Sequence, residues 1–99
     1  MTDEQSTRNE ARRRTYLAEV LVSLKPVVND PQGLAIRDGL RSLGYDEVEA
    51  VRAGKYIRVT VDAESPEDAR GRVTRMCDQL LSNPVTETYE IQLTPLADH

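Results

Sequence analysis

Three segments of the chain alternate apolar and polar residues with the period of two that predicts a β-strand, and a short fourth segment is also predicted as a strand. The first runs from Tyr16 to Leu24, and its second row of side chains still contains Leu17 and Leu21. Both faces of this strand are therefore expected to be partly covered, as in the centre of a sheet. The other three predicted strands are a short one over 47–52, a stronger one over 55–62 and a last one over 86–93.

The first predicted helix begins at Asp30-Pro31 and ends at Gly44. Asp30 supplies an N-cap oxygen, Pro31 suits the first helical position, and Gly44 suits a left-handed C-terminal cap. Its expected core stripe consists of Ala35, Ile36, Gly39, Leu40 and Leu43.

The second predicted helix begins at Ser65-Pro66, where a capping hydroxyl precedes a proline, and ends at Asn83-Pro84. Its expected core stripe consists of Ala69, Val73, Met76, Cys77 and Leu80.

The order β-α-β-β-α-β predicts an α+β fold, the ferredoxin-like sandwich, with two helices on one face of a four-stranded antiparallel sheet. A tight hairpin at Ala53-Gly54, with Gly54 at positive φ, would join the middle strands. The 99 residues, 38% of them hydrophobic, suffice for one core. We expect a polar, fraying tail over 1–14, a single domain over 15–94 and a short C-terminal tail over 95–99.

The charge balance argues against nucleic acid as a partner. The net charge is −4 and no basic cluster stands out, whereas a phosphate-backbone binder needs a basic face. No apolar stretch approaches the roughly 20 residues that span a bilayer, so no membrane partner is expected. One cysteine and a polar start without an apolar signal segment predict a cytoplasmic protein.

No catalytic or metal-binding constellation is recognisable. The only histidine is the terminal His99, and the only cysteine, Cys77, lies on an apolar stripe where core packing is its expected role. No glycine-rich phosphate loop is present. Tyr16 or Tyr56 could superficially serve as a base-stacking aromatic on the open sheet face, but the basic-aromatic run of RNA-recognition domains is missing.

Five turn segments, in this order and spacing, carry a resemblance to a known family. They are Lys25-Pro26, Asp30-Pro31-Gln32-Gly33, Leu43-Gly44-Tyr45, Val51-Arg52-Ala53-Gly54-Lys55 and Leu81-Ser82-Asn83-Pro84-Val85. The chain resembles the small PurS subunits of phosphoribosylformylglycinamidine synthase from about Tyr16 to Leu93. It departs from the family pattern at Val27, where the family usually has glycine, and at Asn29, where an aliphatic residue is usual.

The resemblance implies a non-catalytic subunit of an ATP-dependent amidoligase that bridges a glutaminase subunit and a large synthetase subunit. It implies a homodimer or higher homo-oligomer that binds no cofactor itself, with ATP and magnesium held by the synthetase partner. The candidate partner contacts are Lys25, Asp30, Gln32, Arg52 and Lys55. The candidate turn and cap residues are Pro31, Gly33, Gly44, Gly54, Asn83 and Pro84.

Other classes of function remain open from the residues alone. The first alternative is a stand-alone dimeric regulatory module that binds a small molecule, because ferredoxin-like sheets host many unrelated functions. An RNA-binding module ranks third, and a self-sufficient enzyme ranks last.

Overall fold

The computed structural model describes residues 13–96, which form three strands and two helices. In chain order the elements are β1 (Arg14–Leu24), α1 (Pro31–Ser42), β2 (Gly54–Ala63), α2 (Pro66–Met76), a π-helical turn (Cys77–Leu81) and β3 (Glu87–Pro95). Most of the predicted tails, together with His99, lies outside the described residues. Arg14 and Pro95, which we had assigned to those tails, belong to strands.

The three strands form an antiparallel sheet in the order β2-β1-β3, with β1 in the centre as its pattern predicts. Val20 on β1 faces Ile57 on β2 and Ile91 on β3. Alternate β1 side chains lie on the helix-bearing face and are buried, whereas Leu17 and Leu21 lie half-buried on the opposite face. Tyr16 is in the buried row, with 3% of its surface exposed, so it cannot serve as an aromatic on the open face.

Helix α2 covers the sheet and completes the core. Its Ser65 cap is confirmed, because the Ser65 hydroxyl accepts the backbone N–H of Asp68 at 3.0 Å. Val20, Val73 and Cys77 are the largest fully buried side chains of the described residues. Half-buried apolar side chains on the edge strands pack around them: Ile57, Val59, Val61, Tyr89, Ile91 and Leu93.

The predicted stripe of α2 is correct except at its last position. Leu80 is 83% exposed, and Leu81 packs against the core instead. The π-helical turn explains this, since its wider spiral turns each following side chain by less than a regular α-helix does.

Helix α1 has the predicted ends but not the predicted position. The Gly44 backbone N–H bonds to the Arg41 carbonyl and that of Tyr45 to the Leu40 carbonyl, while Gly44 has φ 103°. These are the bonds of a Schellman C-cap. However, α1 makes no extensive contact with the sheet or with α2.

The expected core stripe of α1 is therefore wrong for the single chain: Leu43 is 76% exposed and Ile36 is 41% exposed. The helical spacing revealed an apolar face but could not reveal what would cover it. With α1 away from the sheet, the molecule is elongated, measuring 67 × 29 × 15 Å.

The predicted fourth strand does not form in the described chain. Residues 47–52 are turn and irregular structure, so the ferredoxin-like sheet of four strands is replaced by a sheet of three. Val48 and Val51, three residues apart, are half-buried where a strand would bury alternate positions. The predicted hairpin at Ala53-Gly54 is therefore wrong as well, and Gly54 does not have a positive φ.

Candidate functional site

The five residues predicted to contact partners meet at one end of the sheet. They lie where residues 25–53, which we call the arm, leave β1 and return to β2. The arm consists of α1 and the segments on either side of it. Asp30, Gln32 and Lys55 line one open depression of about 300 Å³, and Arg52 lines an adjoining one of about 440 Å³. Whether these residues touch a partner subunit stays a prediction.

Asp30 is the centre of this cluster and is only 5% exposed. Its Oδ1 accepts the Gly33 backbone N–H at 2.9 Å, which confirms the predicted N-cap of α1. Its Oδ2 accepts the Ala53 backbone N–H at 2.7 Å, 23 residues further along the chain. The hydrogen bond from Gly33, followed by that from Ala53, holds the pKa of Asp30 below its ordinary value. Each carboxylate oxygen thus has a hydrogen-bond partner within the same chain.

Arg52 makes a second connection across the base of the arm. Its Nη2 donates to the carbonyl oxygens of Lys25 and Val28, both at 3.0 Å. These carbonyls belong to the outgoing segment, whereas Arg52 belongs to the returning one. A guanidinium presents several donors in a fixed planar fork, so one side chain can serve both carbonyls.

Two glycines allow the chain segments at this base to touch. A Cβ on Gly33 would stand 2.3 Å from the Val51 carbonyl oxygen, and one on Gly54 would stand 2.5 Å from the Val22 carbonyl oxygen. Both distances are far shorter than any real carbon-oxygen contact. The lack of a side chain, rather than a special φ, is what both positions require.

The turn before β3 completes the cluster. The Asn83 side-chain oxygen accepts the Val85 backbone N–H at 3.0 Å, as expected of a turn asparagine. Glu87 Oε1 accepts the Asn83 backbone N–H at 2.7 Å, which holds the pKa of Glu87 below its ordinary value. Lys55 Nζ lies 3.4 Å from Glu87 Oε2, so the start of β2, directly after the arm, is also tied to β3.

Lys25 is held in the same place by its backbone, whose N–H donates to the Thr86 carbonyl at 2.8 Å. Across the described residues, no hydrogen bond or ion pair is formed by the side chains of Lys25 and Gln32. Of the five candidates, these two therefore present side-chain groups that the described chain leaves unused.

Sequence reasoning found the caps but missed the cross-links. Nothing in the local pattern shows that the Asp30 carboxylate reaches Ala53, that Arg52 reaches back to Lys25, or that Glu87 serves Lys55. These contacts join residues more than 20 positions apart and exist only once the sheet has formed.

Groups with catalytic chemistry do not converge in the described part of the chain. Residues 13–96 contain no group of three or more metal-ligating side chains. Burial raises the pKa of the Cys77 thiol, which disfavours the reactive thiolate. On the open sheet face, the Tyr56 hydroxyl donates to the Glu19 carboxylate, and this raises the pKa of Tyr56. No helix among these residues is long and apolar enough to cross a bilayer.

An exposed apolar arm on a small domain is the kind of surface through which proteins associate with one another. Comparison with known proteins identifies the family. A model of the PurS family, described as phosphoribosylformylglycinamidine (FGAM) synthase, matches residues 17–95. The chain belongs to the PurS family, as its turn segments suggested.

Individual relatives agree with this assignment. The PurS subunit of the synthase from Synechocystis sp. is 45% identical over 82 residues, which are 83% of this chain and 82% of that one. The crystal structure of Methanocaldococcus jannaschii PurS matches with a TM-score of 0.75 at 35% identity, covering 83% of this chain and 99% of that one. A chain in the structure of PurLQS from Thermotoga maritima matches with a TM-score of 0.75 at 35% identity, covering 81% and 98%.

Proposed function

We propose that this chain is the non-catalytic small subunit of phosphoribosylformylglycinamidine synthase and acts by holding a glutaminase subunit and an ATP-dependent synthetase subunit together. The observation that carries the proposal is membership of the PurS family over residues 17–95. The Thermotoga maritima relative, whose structure is described as PurLQS, supports an assembly of several subunits. ATP and magnesium belong to the synthetase partner, this chain supplies binding surface, and the assembly works in the cytoplasm.

The chain associates with itself through the arm. Ile36 and Leu43 lie on the same side of α1, and together with Tyr45 in its C-terminal turn they are exposed in the single chain. At about 25 cal/mol per Å² of apolar surface removed from water, covering such a face strongly favours association. Among the described elements only α2 packs on the sheet, and the apolar side of α1 remains exposed. A second copy supplies what each chain lacks, which supports a homodimer.

The bridging role is tested by reconstitution. The synthetase and glutaminase subunits of the same organism are assayed for glutamine- and ATP-dependent product, with and without this chain, and all three are run on a sizing column. We expect both glutamine-dependent turnover and co-elution of all three subunits to require the chain. If turnover and co-elution are the same without it, the bridging role is wrong.

Self-association is tested by placing a charge on the arm. Leu43→Glu should shift the chain from dimer to monomer in light scattering coupled to sizing chromatography, because a carboxylate would have to be buried in an apolar contact. Val85→Glu is the matched control, since Val85 is also 76% exposed but lies outside the arm. A monomeric wild type, or equal effects of the two substitutions, would contradict an interface at the arm.

The alternative of a stand-alone small-molecule-binding module is not favoured, because the chain belongs to a family of synthase subunits. The two depressions at the base of the arm are open. The charged side chains that line them already form hydrogen bonds or an ion pair within the chain. Thermal stabilisation of the isolated chain by purine-pathway nucleotides would speak for that alternative.

A further inference from the structure

The direction in which helix α1 points is not set by packing on the sheet or on α2. Since α1 makes no extensive contact with either, no apolar interface with them fixes its angle. Its apolar side chains Ile36 and Leu43 remain exposed. The angle must therefore be determined where the arm joins the sheet.

The Asp30 carboxylate bridges that joint. One of its oxygens accepts from Gly33, in the first turn of α1, and the other accepts from Ala53, directly before β2. The side chain is therefore an N-cap and a cross-link at once. Charged acceptors form the stronger hydrogen bonds, and this carboxylate is buried, where competition from water is least.

Arg52 joins the same two segments, but its side chain reaches from the returning segment to the outgoing one. It leaves the returning segment and donates to the Lys25 and Val28 carbonyls of the outgoing one. Asp30 leaves the outgoing segment and accepts from the returning one. Two cross-links that run in opposite directions between two segments restrict rotation more than either does alone.

We infer that Asp30 and Arg52 are positioning residues, which fix the direction in which the arm presents its apolar face to a second copy of this chain. This role rests on the proposed homodimer and deepens it. An arm free to swing would expose the same side chains but would lose orientational freedom on binding, so the dimer would be weaker although no contact residue had changed.

The key variant is Asp30→Ser, which separates the two tasks of Asp30. Serine is about as good an N-cap as aspartate, so α1 should keep its start. Serine has a single side-chain oxygen on a shorter side chain, so it cannot also accept the Ala53 backbone N–H. The matched control is Asp38→Ser, which removes the same charge from the arm but takes away only an exposed pairing with Arg37.

The direct readout is the distance between spin labels at Ser42, at the end of α1, and Thr60 on β2. Both residues are exposed, and labelled chains are diluted with unlabelled ones so that only distances within one chain contribute. We expect a narrow distribution for the wild type and for Asp38→Ser, and a clearly broader one for Asp30→Ser. The helical signal in circular dichroism should stay unchanged in all three.

The second readout is the dimer dissociation constant from sedimentation. It should rise at least about tenfold in Asp30→Ser, equivalent to about 1.4 kcal/mol, and stay within about twofold in Asp38→Ser. Arg52→Met, which keeps the aliphatic stem but donates no hydrogen bond, should act in the same direction and provides the test if Asp30→Ser does not fold. Lower thermal stability with an unchanged distance distribution and dissociation constant would overturn the inference.

The outcome is separable from that of the proposed function. If the wild type fails to support glutamine-dependent synthesis while Asp30→Ser loosens the arm, the bridging role is wrong and the positioning role stands. If synthesis requires the chain but Asp30→Ser and Arg52→Met assemble and support it like the wild type, the positioning role is wrong.

Discussion

Gly33, in the first turn of α1, lies directly against the backbone of Val51, so that a Cβ on Gly33 would stand 2.3 Å from the Val51 carbonyl oxygen. The contact brings the outgoing and returning segments of the arm together at the point where the Asp30 carboxylate bridges them. The glycine is therefore required by close packing of two backbones, and it lies in a helix where glycine is otherwise unfavourable.

This contact predicts opposite effects for two glycines of the same helix. Gly33→Ala should destabilise the chain by on the order of 1–3 kcal/mol, because the new methyl group pushes the two segments apart. Gly39→Ala, with no atom within 4 Å of its Cβ, should be neutral or stabilising by up to about 1 kcal/mol. Urea unfolding of both variants is the measurement, and equal stabilities would contradict the close contact.

The burial of Val73 predicts how much stability is lost when a core side chain beneath α2 is shortened. It is fully buried between the helix and the sheet, so Val73→Ala should lower the free energy of unfolding by on the order of 2 kcal/mol through lost burial and a residual cavity. Val27→Ala, at a position 93% exposed, should change it by less than about 0.5 kcal/mol. A similar loss of unfolding free energy in both variants would contradict the burial of Val73 in the core.

The lowered pKa values of three carboxylates predict how stability depends on pH. Asp30, Asp68 and Glu87 each accept a backbone N–H, and the pKa of each lies below its ordinary value of 3.8, 3.8 and 4.5. As the pH falls, the unfolded chain takes up these protons before the folded one does. Their contribution is therefore complete above the ordinary values and is lost as the pH falls through the lower, folded ones.

The measurement is the free energy of unfolding in urea at a series of pH values from 7 down to 3. Asp30→Ser should show a shallower fall at the acid end than the wild type, because one of the three groups is gone. Asp38→Ser should follow the wild-type slope. A steeper fall in Asp30→Ser would contradict the stated role of the Asp30 hydrogen bonds.

The burial of Cys77 predicts that its thiol does not react with thiol reagents in the folded protein. It is fully buried, and desolvation followed by the nearby Asp78 charge raises its pKa. A thiol reagent at pH 8 should react orders of magnitude more slowly with the native chain than with the urea-unfolded chain. Because the chain has one cysteine, one equivalent should react on unfolding. Rapid labelling of the native protein would show an accessible nucleophile instead.

The ends of the helices could be read from the sequence because their determinants are local. Asp30 caps Gly33 and Ser65 caps Asp68, each three residues away, and Gly44 takes the positive φ that its position requires. The strand pattern of β1 was also sufficient, since alternation alone assigns each side chain to one face of a sheet.

The misses have a common physical cause. Residues 47–52 are predicted as a strand that a hairpin at Ala53-Gly54 joins to the next one, but the segment is irregular and Gly54 serves a close approach to the Val22 carbonyl. Leu80 was assigned to the core on a regular helical period that the π-helical turn interrupts. In both cases a contact or a change of helical geometry beyond the local pattern gave the residue another role.

The helix caps, the central strand, the α+β class and the family could all be inferred from the sequence, because they depend on residues within a few positions or on the order of short motifs. Long-range contacts were needed to show that α1 leaves the sheet, that three strands form instead of four, and that Asp30 and Arg52 join the two segments of the arm. An apolar helical face has the same spacing whether its own sheet or another molecule covers it, so where that face is buried depends on contacts between distant residues.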